Sequence, residues 1–228
     1  MSRSFTVLPS GQLLPFRLNY ETLRVLSQFV TAATDARQFP VPVAPEVAFL
    51  GRSNVGKSSV INSLLGSKVA RTSSTPGRTR SINFYSVRWP GRPRPEVMFT
   101  DLPGYGYAKL SREISAEWPS FIEPYLKERS NLALCVVLVD SNIPPQKSDE
   151  QLCEALHSYG RPFVAVATKS DRVSGNQLRQ SLQTLAQALG TERILTYSAR
   201  SGHGREELWQ QIRAATDALA GVAKAELP

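Results

Sequence analysis

Short apolar runs alternate with longer, polar-faced segments along most of this 228-residue chain. The apolar runs, rich in β-branched or aromatic residues and of strand length, are EVAFL, SINFYSVRW, EVMFTD, LALCVVLVD, RPFVAVAT and RILTYS. Helical periodicity marks the segments KSSVINSLLG, SDEQLCEALHSYG, GNQLRQSLQTLAQALG and GREELWQQIRAATDALA. The pattern predicts an α/β fold in which six strands form a mostly parallel sheet.

One pair of predicted strands has no helix between its members. SINFYSVRW and EVMFTD are separated by PGRPRP alone, which predicts an antiparallel hairpin because a parallel connection needs a long crossover. We therefore expect one antiparallel strand in the sheet and helices on both of its faces.

The N-terminal region reads differently from the rest. Residues 1–20 mix short apolar pieces with proline and glycine, which predicts a poorly ordered leader. YETLRVLSQFVTAATDARQF, residues 20–39, predicts an extra amphipathic helix. Its apolar side would carry Leu23, Leu26, Phe29 and Val30. We expect a leader and helix over residues 1–43, the α/β domain over 44–221 and a tail over 222–228.

Composition and charge narrow the class of protein. Hydrophobic residues make up 41% of the chain and charged residues 20%, a balance typical of globular proteins. The formal charge of +8 suits a polyanionic partner such as RNA, although the same excess can serve solubility alone. Two cysteines in apolar or helical stretches indicate buried thiols, and no stretch approaches the roughly 18 apolar residues of a membrane span. We expect a cytoplasmic protein.

A phosphate-binding pattern follows the first predicted strand of the α/β domain. GRSNVGKS matches G-x-x-x-x-G-K-[ST] and directly precedes a helix, where backbone amides and the helix N-terminus attract phosphate. Lys57 would reach the β- and γ-phosphates and Ser58 would bind Mg²⁺. The candidate nucleotide-binding residues here are Gly51, Arg52, Ser53, Asn54, Val55, Gly56, Lys57 and Ser58. The alternative is an ordinary glycine-rich turn.

TKSD, after the strand RPFVAVAT, favours guanine over adenine. The carboxylate of Asp171 can accept hydrogen bonds from N1 and N2 of guanine, and adenine offers no such donor pair. Lys169 would lay its aliphatic stem against the base. Thr168 replaces the commoner asparagine, so we expect a looser link to the phosphate loop. The remaining candidates are Ser170 and, after the last strand, Tyr197, Ser198 and Ala199.

DLPG and the segment before it predict contacts to Mg²⁺ and the γ-phosphate. Asp101 at the end of EVMFTD would hold Mg²⁺ through water, and the Gly104 amide would sense the γ-phosphate. Thr79 in SSTPGRTRS is the candidate for a further Mg²⁺ ligand. The nucleotide-contacting residues predicted in these two segments are Gly77, Arg78, Thr79, Arg80, Ser81, Asp101, Leu102, Pro103 and Gly104.

GRSNVGKSS, TPGRTR, DLPGYGYA and TKSD, with FVTAATDARQFP before the first strand, together resemble the EngB/YihA family of bacterial ribosome-biogenesis GTPases. The resemblance spans about residues 28–220 and makes 44–221 an EngB-type domain of the TRAFAC-class P-loop GTPase fold. It implies a cytoplasmic, Mg²⁺-requiring GTPase that assists maturation of the large ribosomal subunit and supports normal septation. We expect a monomer whose partner is the large subunit or its rRNA, not DNA.

Tyr105 stands where Ras-like GTPases carry the glutamine that orients the attacking water. A tyrosine cannot present a carboxamide's donor and acceptor together, so we expect slow intrinsic hydrolysis and help from another element. In related GTPases an asparagine at the position of Asn54 holds K⁺ near the reacting phosphates. The residues expected to act on those phosphates are Lys57, Asn54, Thr79 and Gly104. The alternative is that Asn54 only satisfies the geometry of the loop.

Two hypotheses about the partner remain open at this point. Arg71, Arg78 and Arg80, with Arg88, Arg92 and Arg94 around the hairpin, are predicted to form a basic surface for rRNA beside the nucleotide. The alternative is that these arginines are scattered and solvated and form no common surface. The function itself has two further alternatives, a nucleotide-regulated protein-binding switch in cell division and an ATP-dependent enzyme, and Asp171 opposes the second of these.

Overall fold

The computed structural model describes residues 25–70, 81–105 and 120–225, with side chains up to residue 221. The strands are β1 (Leu26–Ala33), β2 (Glu46–Gly51), β3 (Ile82–Arg88), β4 (Val97–Asp101), β5 (Leu132–Asp140), β6 (Phe163–Thr168) and β7 (Ile194–Thr196). The helices are α1 (Lys57–Leu65), α2 (Ile122–Glu128), α3 (Lys147–Ser158), α4 (Gly175–Ala188) and α5 (Arg205–Ala225), with short 3-10 turns at Ala36–Gln38 and Ser170–Arg172.

Within the described residues the strands form a seven-stranded sheet in the order β1-β3-β4-β2-β5-β6-β7. β3 is antiparallel to both of its neighbours, and the pairs that follow it, from β4 to β7, are parallel. The α/β class, the mostly parallel sheet and the one antiparallel strand are therefore confirmed. The predicted count of six strands is wrong, because the sheet has a seventh strand at its edge.

That seventh strand, β1, lies where the sequence predicted an amphipathic helix. Residues 26–33 are extended and pair with β3, so the predicted N-terminal helix is wrong over this range. Leu26, Phe29 and Val30, expected to share a buried helical side, are 45%, 49% and 45% exposed. The division of the chain at residues 43 and 221 stays a prediction, although β1 joins the same sheet as the strands that follow residue 43.

Two apolar cores cover the two faces of the sheet. Side chains alternate between the faces along a strand, and in β2 Val47 and Phe49 belong to one core while Ala48 and Leu50 belong to the other. Helices α1 and α5 contribute to the first core, and α2, α3 and α4 contribute to the second. The prediction of helices on both faces is confirmed.

A buried ion pair fixes the start of β2. The guanidinium of Arg129, just after α2, contacts the carboxylate of Glu46 at 2.6 Å and donates a hydrogen bond to the carbonyl oxygen of Pro40 at 2.7 Å. The hydroxyl of Tyr125 also donates to Glu46, at 2.9 Å. The proline-containing connector is thereby attached to the sheet at the edge where the parallel strands begin.

The hairpin between β3 and β4 lies at that same edge. β3 runs from Asn83, opposite Asp101, to Val87, opposite Val97, so the turn that follows is about 14 Å along the sheet from Asp101. Arg88, Arg92 and Arg94 belong to this turn or its flank. Among the described helices, none combines the length and apolar character needed to cross a membrane.

Candidate functional site

The predicted site residues meet at the carboxyl edge of the sheet. Strands β2, β4, β6 and β7 are parallel, so the phosphate loop, DLPG, TKSD and YSA all follow strands that end on one side. Ser81 precedes the antiparallel β3 and therefore lies at this edge too. Gly77, Arg78, Thr79 and Arg80 lie outside the described residues.

The phosphate loop requires glycine at its start and left-handed backbone further on. A Cβ atom at Gly51 would lie 2.8 Å from both the carbonyl oxygen of Leu138 and Cγ1 of Val55, so a side chain does not fit there. Asn54 and Gly56 have φ angles of 65° and 103°, which turn the chain into α1. The loop thus ends at a helix N-terminus that begins with Lys57 and Ser58.

Lys57 and Asp101 form an ion pair across the site. The Lys57 Nζ atom lies 2.7 Å from Asp101 Oδ1, and the two side chains are 13% and 6% exposed. The pair joins the first turn of α1 to the end of β4, next to β2 in the sheet. The residues expected to bind phosphate and metal therefore neutralise one another in this structure.

DLPG packs directly against the phosphate loop. Leu102 is buried, and its backbone amide donates to the carbonyl oxygen of Phe49 at 3.2 Å. Pro103 is buried as well. At Gly104 an added Cβ would lie 3.0 Å from the backbone nitrogen of Ser53. The close approach explains why the smallest residue follows Pro103.

The Tyr105 side chain lies in the sheet's α3-facing core. Its side chain is 1% exposed, and its hydroxyl donates a hydrogen bond to Asp149 Oδ1 at 2.9 Å. Burial and the neighbouring Asp149 carboxylate raise the pKa of Tyr105 well above its ordinary value, so the hydroxyl stays protonated. This placement agrees with the expectation that Tyr105 does not replace the water-orienting glutamine.

Thr168 links β6 to the phosphate loop. Its hydroxyl lies 2.7 Å from the carbonyl oxygen of Val55 and 3.1 Å from that of Val139, and the residue is buried. The contact to Val55 has the length of a good hydrogen bond, and the expectation that the link is looser than that of an asparagine stays a prediction. An asparagine would bring two donors where threonine brings one.

Lys169 has an uncommon left-handed backbone conformation, with φ of 58°, and its side chain reaches the phosphate loop. Its Nζ donates to the carbonyl oxygen of Asn54 at 2.9 Å and to Asp140 Oδ2 at 2.7 Å. Burial raises the pKa of Asp140, but the hydrogen bonds from Lys169 and Asn142 outweigh it and hold that pKa below its usual value. Asp140 was not predicted as a site residue, although it ends the strand LALCVVLVD, where site residues are expected.

Ser198 orients the exposed carboxylate of Asp171. The Ser198 hydroxyl donates to Asp171 Oδ1 at 2.7 Å, and this bond lowers the pKa of Asp171. Tyr197 is buried and its hydroxyl donates to Ser63 in α1, so only its backbone remains available for a base. Ala199 is exposed beside this pair. Ser198 of the YSA segment therefore contacts Asp171 of TKSD, although the YSA sequence alone is a weak signal of a binding site.

A pocket of about 130 Å³ lies beside these residues. Its lining includes Asn54, Lys169, Ile143, Pro144 and Asp149. Asp149 was missed by the sequence analysis. Its signal was an acidic residue on the buried side of a predicted helix, in register with Leu152, Cys153 and Leu156.

The fold and the arrangement of these motifs define a P-loop GTPase. The family described as 50S ribosome-binding GTPase matches residues 46–169. A probable GTP-binding protein EngB of Koribacter versatilis is 58% identical over 200 residues, which cover 87% of this chain and 98% of the relative. The chain belongs to the EngB family of GTP-binding GTPases.

A further relative agrees with this assignment, and a solved structure agrees with the fold. The probable GTP-binding protein EngB of Aquifex aeolicus is 42% identical over 176 residues, covering 77% of this chain and 93% of the relative. A crystal structure of a probable GTP-binding protein EngB superposes with a TM-score of 0.60 at 24% identity, covering 76% of this chain and 99% of that one. At that identity the superposition shows the fold alone.

Proposed function

We propose that this GTPase is a molecular switch that assists assembly of the large ribosomal subunit and is needed for normal cell division and septation. The observation that carries the proposal is the meeting of four nucleotide-binding motifs at one sheet edge, in a chain whose matching family is described as 50S ribosome-binding. A formal charge of +8 supports an rRNA partner. We further propose that the protein acts in the cytoplasm, as a monomer and without DNA.

The phosphates are proposed to bind to the amides of residues 51–58 and to the N-terminus of α1. Lys57 then leaves Asp101 for the β- and γ-phosphate oxygens. Gly104 offers its amide to the γ-phosphate from its position against Ser53. Release of the γ-phosphate removes that contact, which is how hydrolysis is proposed to change the state of the switch.

Guanine is proposed to bind between TKSD and YSA. Asp171 accepts the N1 and N2 hydrogens, and the hydroxyl of Ser198 fixes one of its oxygens for that task. Lys169 is held by Asp140 and by the carbonyl oxygen of Asn54, and these contacts support the proposal that its stem lies beside the base plane. The backbone at Ser198 and Ala199 faces guanine O6.

Mg²⁺ fits the donor set present at the loop. Asp101 supplies a buried carboxylate and Ser58 a hydroxyl, and hard oxygen ligands of this kind suit Mg²⁺. We propose Ser58, Asp101 and Thr79 as the residues that hold the ion, directly or through water. When bound, it neutralises charge on the β- and γ-phosphates.

Hydrolysis is proposed to be slow without a partner and to depend on K⁺. Tyr105 is turned toward Asp149, so it contributes no group to an attacking water. Asn54 has an exposed side chain and a left-handed backbone, with its carbonyl oxygen held by Lys169. Its carboxamide is thus the group we propose for binding K⁺, which would stabilise charge that develops on the phosphates.

A second candidate is a nucleotide-regulated protein-binding switch in cell division whose hydrolysis is incidental. The buried orientation of Tyr105 favours it, because the loop lacks a water-orienting side chain at that position. The basic hairpin gives less support to the first candidate than expected. The prediction that Arg88, Arg92 and Arg94 lie beside the nucleotide is wrong, since their turn is at the opposite sheet edge; Arg71, Arg78 and Arg80 lie outside the described residues.

The deciding experiment measures GTP hydrolysis in K⁺ and in Na⁺ buffers, each with and without purified large ribosomal subunits. We expect stimulation by the subunits and a faster rate in K⁺. The Asn54→Gly variant tolerates the left-handed backbone and lacks the carboxamide, so it should lose the K⁺ effect while still binding GDP. Equal rates in both buffers would contradict the cation proposal, and no stimulation by subunits would favour the second candidate.

A further inference from the structure

A buried polar pair connects the residue after DLPG to helix α3. Tyr105 and Asp149, 1% and 4% exposed, are joined by the 2.9 Å hydrogen bond from the phenol to Oδ1. Asp149 lies in the first turn of α3, and its neighbours on the buried side are Leu152, Cys153 and Leu156. The pair lies on the α3 side of the sheet, near the charged guanidinium of Arg52, and Asp149 also borders the pocket of about 130 Å³.

The backbone of Tyr105 is attached to the phosphate loop on its other side. The Ser53 amide donates to the carbonyl oxygen of Tyr105 at 3.0 Å, and Arg52 and Tyr105 form an isolated parallel β-bridge. Gly104, one residue earlier, packs against the Ser53 backbone. The position of the Gly104 amide is thus fixed by a residue held at both its carbonyl and its hydroxyl.

Packing alone does not require this pair. Burial raises the pKa of Asp149, which reports the cost of keeping a carboxylate out of water, and the Tyr105 hydroxyl bond opposes that rise. A phenylalanine with an apolar partner would fill similar space without that cost. A directional hydrogen bond, in contrast, fixes where the ring and its backbone lie.

We propose that Asp149 is a positioning residue that, through the Tyr105 hydroxyl, holds the Gly104 amide where the γ-phosphate binds and so sets the preference for GTP over GDP. The inference rests on the proposed contact between Gly104 and the γ-phosphate. GDP has no γ-phosphate, so its binding does not depend on the position of this amide. Loss of the hydrogen-bonded pair should therefore weaken the binding of GTP more than the binding of GDP.

The test compares the affinities of GDP and a non-hydrolysable GTP analogue, both with Mg²⁺, for Tyr105→Phe and Asp149→Ala, each of which removes the hydrogen bond. We expect the GTP analogue to bind about tenfold more weakly, within the roughly 5–150-fold range usual for coupled sites, and GDP to change less than about twofold. The double variant should match the single ones, because both act on one link.

Tyr125→Phe is the matched control. Tyr125 is a buried tyrosine whose hydroxyl donates to a buried carboxylate, that of Glu46, at 2.9 Å, and Glu46 begins β2 at the opposite sheet edge. This variant should lose thermal stability much as Tyr105→Phe does and keep the wild-type ratio of the two affinities. A merely structural role for Tyr105 would make the two variants alike in both measurements and would overturn the inference.

Two additional variants cover the remaining outcomes. Tyr105→Phe with Asp149→Leu replaces both partners by apolar groups, so no unpaired carboxylate threatens the fold, and the altered ratio should persist. Gly104→Ala tests the proposed γ-phosphate contact itself. If Gly104→Ala changes the ratio of the affinities for the GTP analogue and GDP while the Tyr105 and Asp149 variants do not, the inference fails and the contact between Gly104 and the γ-phosphate stands. If none of these variants changes the ratio, the inference and the proposed contact both fail.

Discussion

Thr168→Val tests the link between β6 and the phosphate loop. Valine has nearly the shape of threonine but lacks the hydroxyl that lies 2.7 Å from the carbonyl oxygen of Val55. Leaving that buried acceptor without its donor costs about 1–3 kcal/mol. For a chain of this size a loss of about 2 kcal/mol lowers Tm by about 4–8 °C. If the whole of this free energy is lost from the GDP-binding conformation of the loop, the affinity for GDP falls by about thirtyfold.

The assay pairs thermal unfolding with titration of a fluorescent GDP in Mg²⁺. Thr168→Ser is the control, because it keeps the hydroxyl and removes one buried methyl group, a loss of about 0.8 kcal/mol. It should bind GDP as the wild type does. If Thr168→Val bound GDP equally well and unfolded at the temperature of the serine variant, the hydrogen bond would have no part in holding the loop.

Three other predictions follow from contacts at or away from the site. Ser198→Ala removes the hydrogen bond that lowers the pKa of Asp171, so the Asp171 carboxylate will protonate at a higher pH. The affinity for GDP, titrated in acidic buffers around pH 4, should therefore begin to fall at a higher pH than in the wild type. Arg129→Ala leaves the buried Glu46 carboxylate without its counter-ion and should reduce the free energy of unfolding by about 3–5 kcal/mol in urea denaturation, without weakening GDP binding. Weaker GDP binding would contradict the separation of this ion pair from the site at the other edge of the sheet. Burial raises the pKa of Cys135 and of Cys153 to about 12, so a thiol reagent near neutral pH should label them only as fast as the protein unfolds, and rapid labelling of the native protein would refute their burial.

The nucleotide-binding motifs could be located from the sequence because each is short and has a fixed relation to a strand. The loop before Lys57, the aspartate that ends β4 and the TKSD that ends β6 needed only local patterns and the rule that parallel strands end at one edge. The hairpin between β3 and β4 was predictable for the same reason, since a six-residue polar link cannot hold a crossover helix.

Strand β1 was misassigned because its apolar residues imitate helical spacing. It is an edge strand with an irregular register between Phe29 and Thr31, so its exposed and buried positions do not alternate. Helix α2 was not predicted, and its sequence contains Pro124. That proline stands in the first turn, where its missing amide proton has no helical partner to lose.

The contacts that define the site in detail were beyond the sequence. Tyr105 and Asp149 are 44 residues apart, and Thr168 and Val55 are 113 residues apart. Whether a tyrosine turns toward a ligand or into a core depends on which helix packs beneath it, and periodicity within one segment does not contain that information.

If Lys57 binds the phosphates as proposed, its ion pair with Asp101 makes nucleotide binding an exchange of partners. A phosphate that takes the ammonium of Lys57 leaves Asp101 a nearly buried carboxylate without a counter-ion, and that cost opposes the binding of nucleotide alone. A divalent cation held by Asp101, as proposed, would remove the cost. On that proposal nucleotide and cation are thermodynamically linked: each should raise the affinity of the other by the same factor, and the pair should bind as a unit.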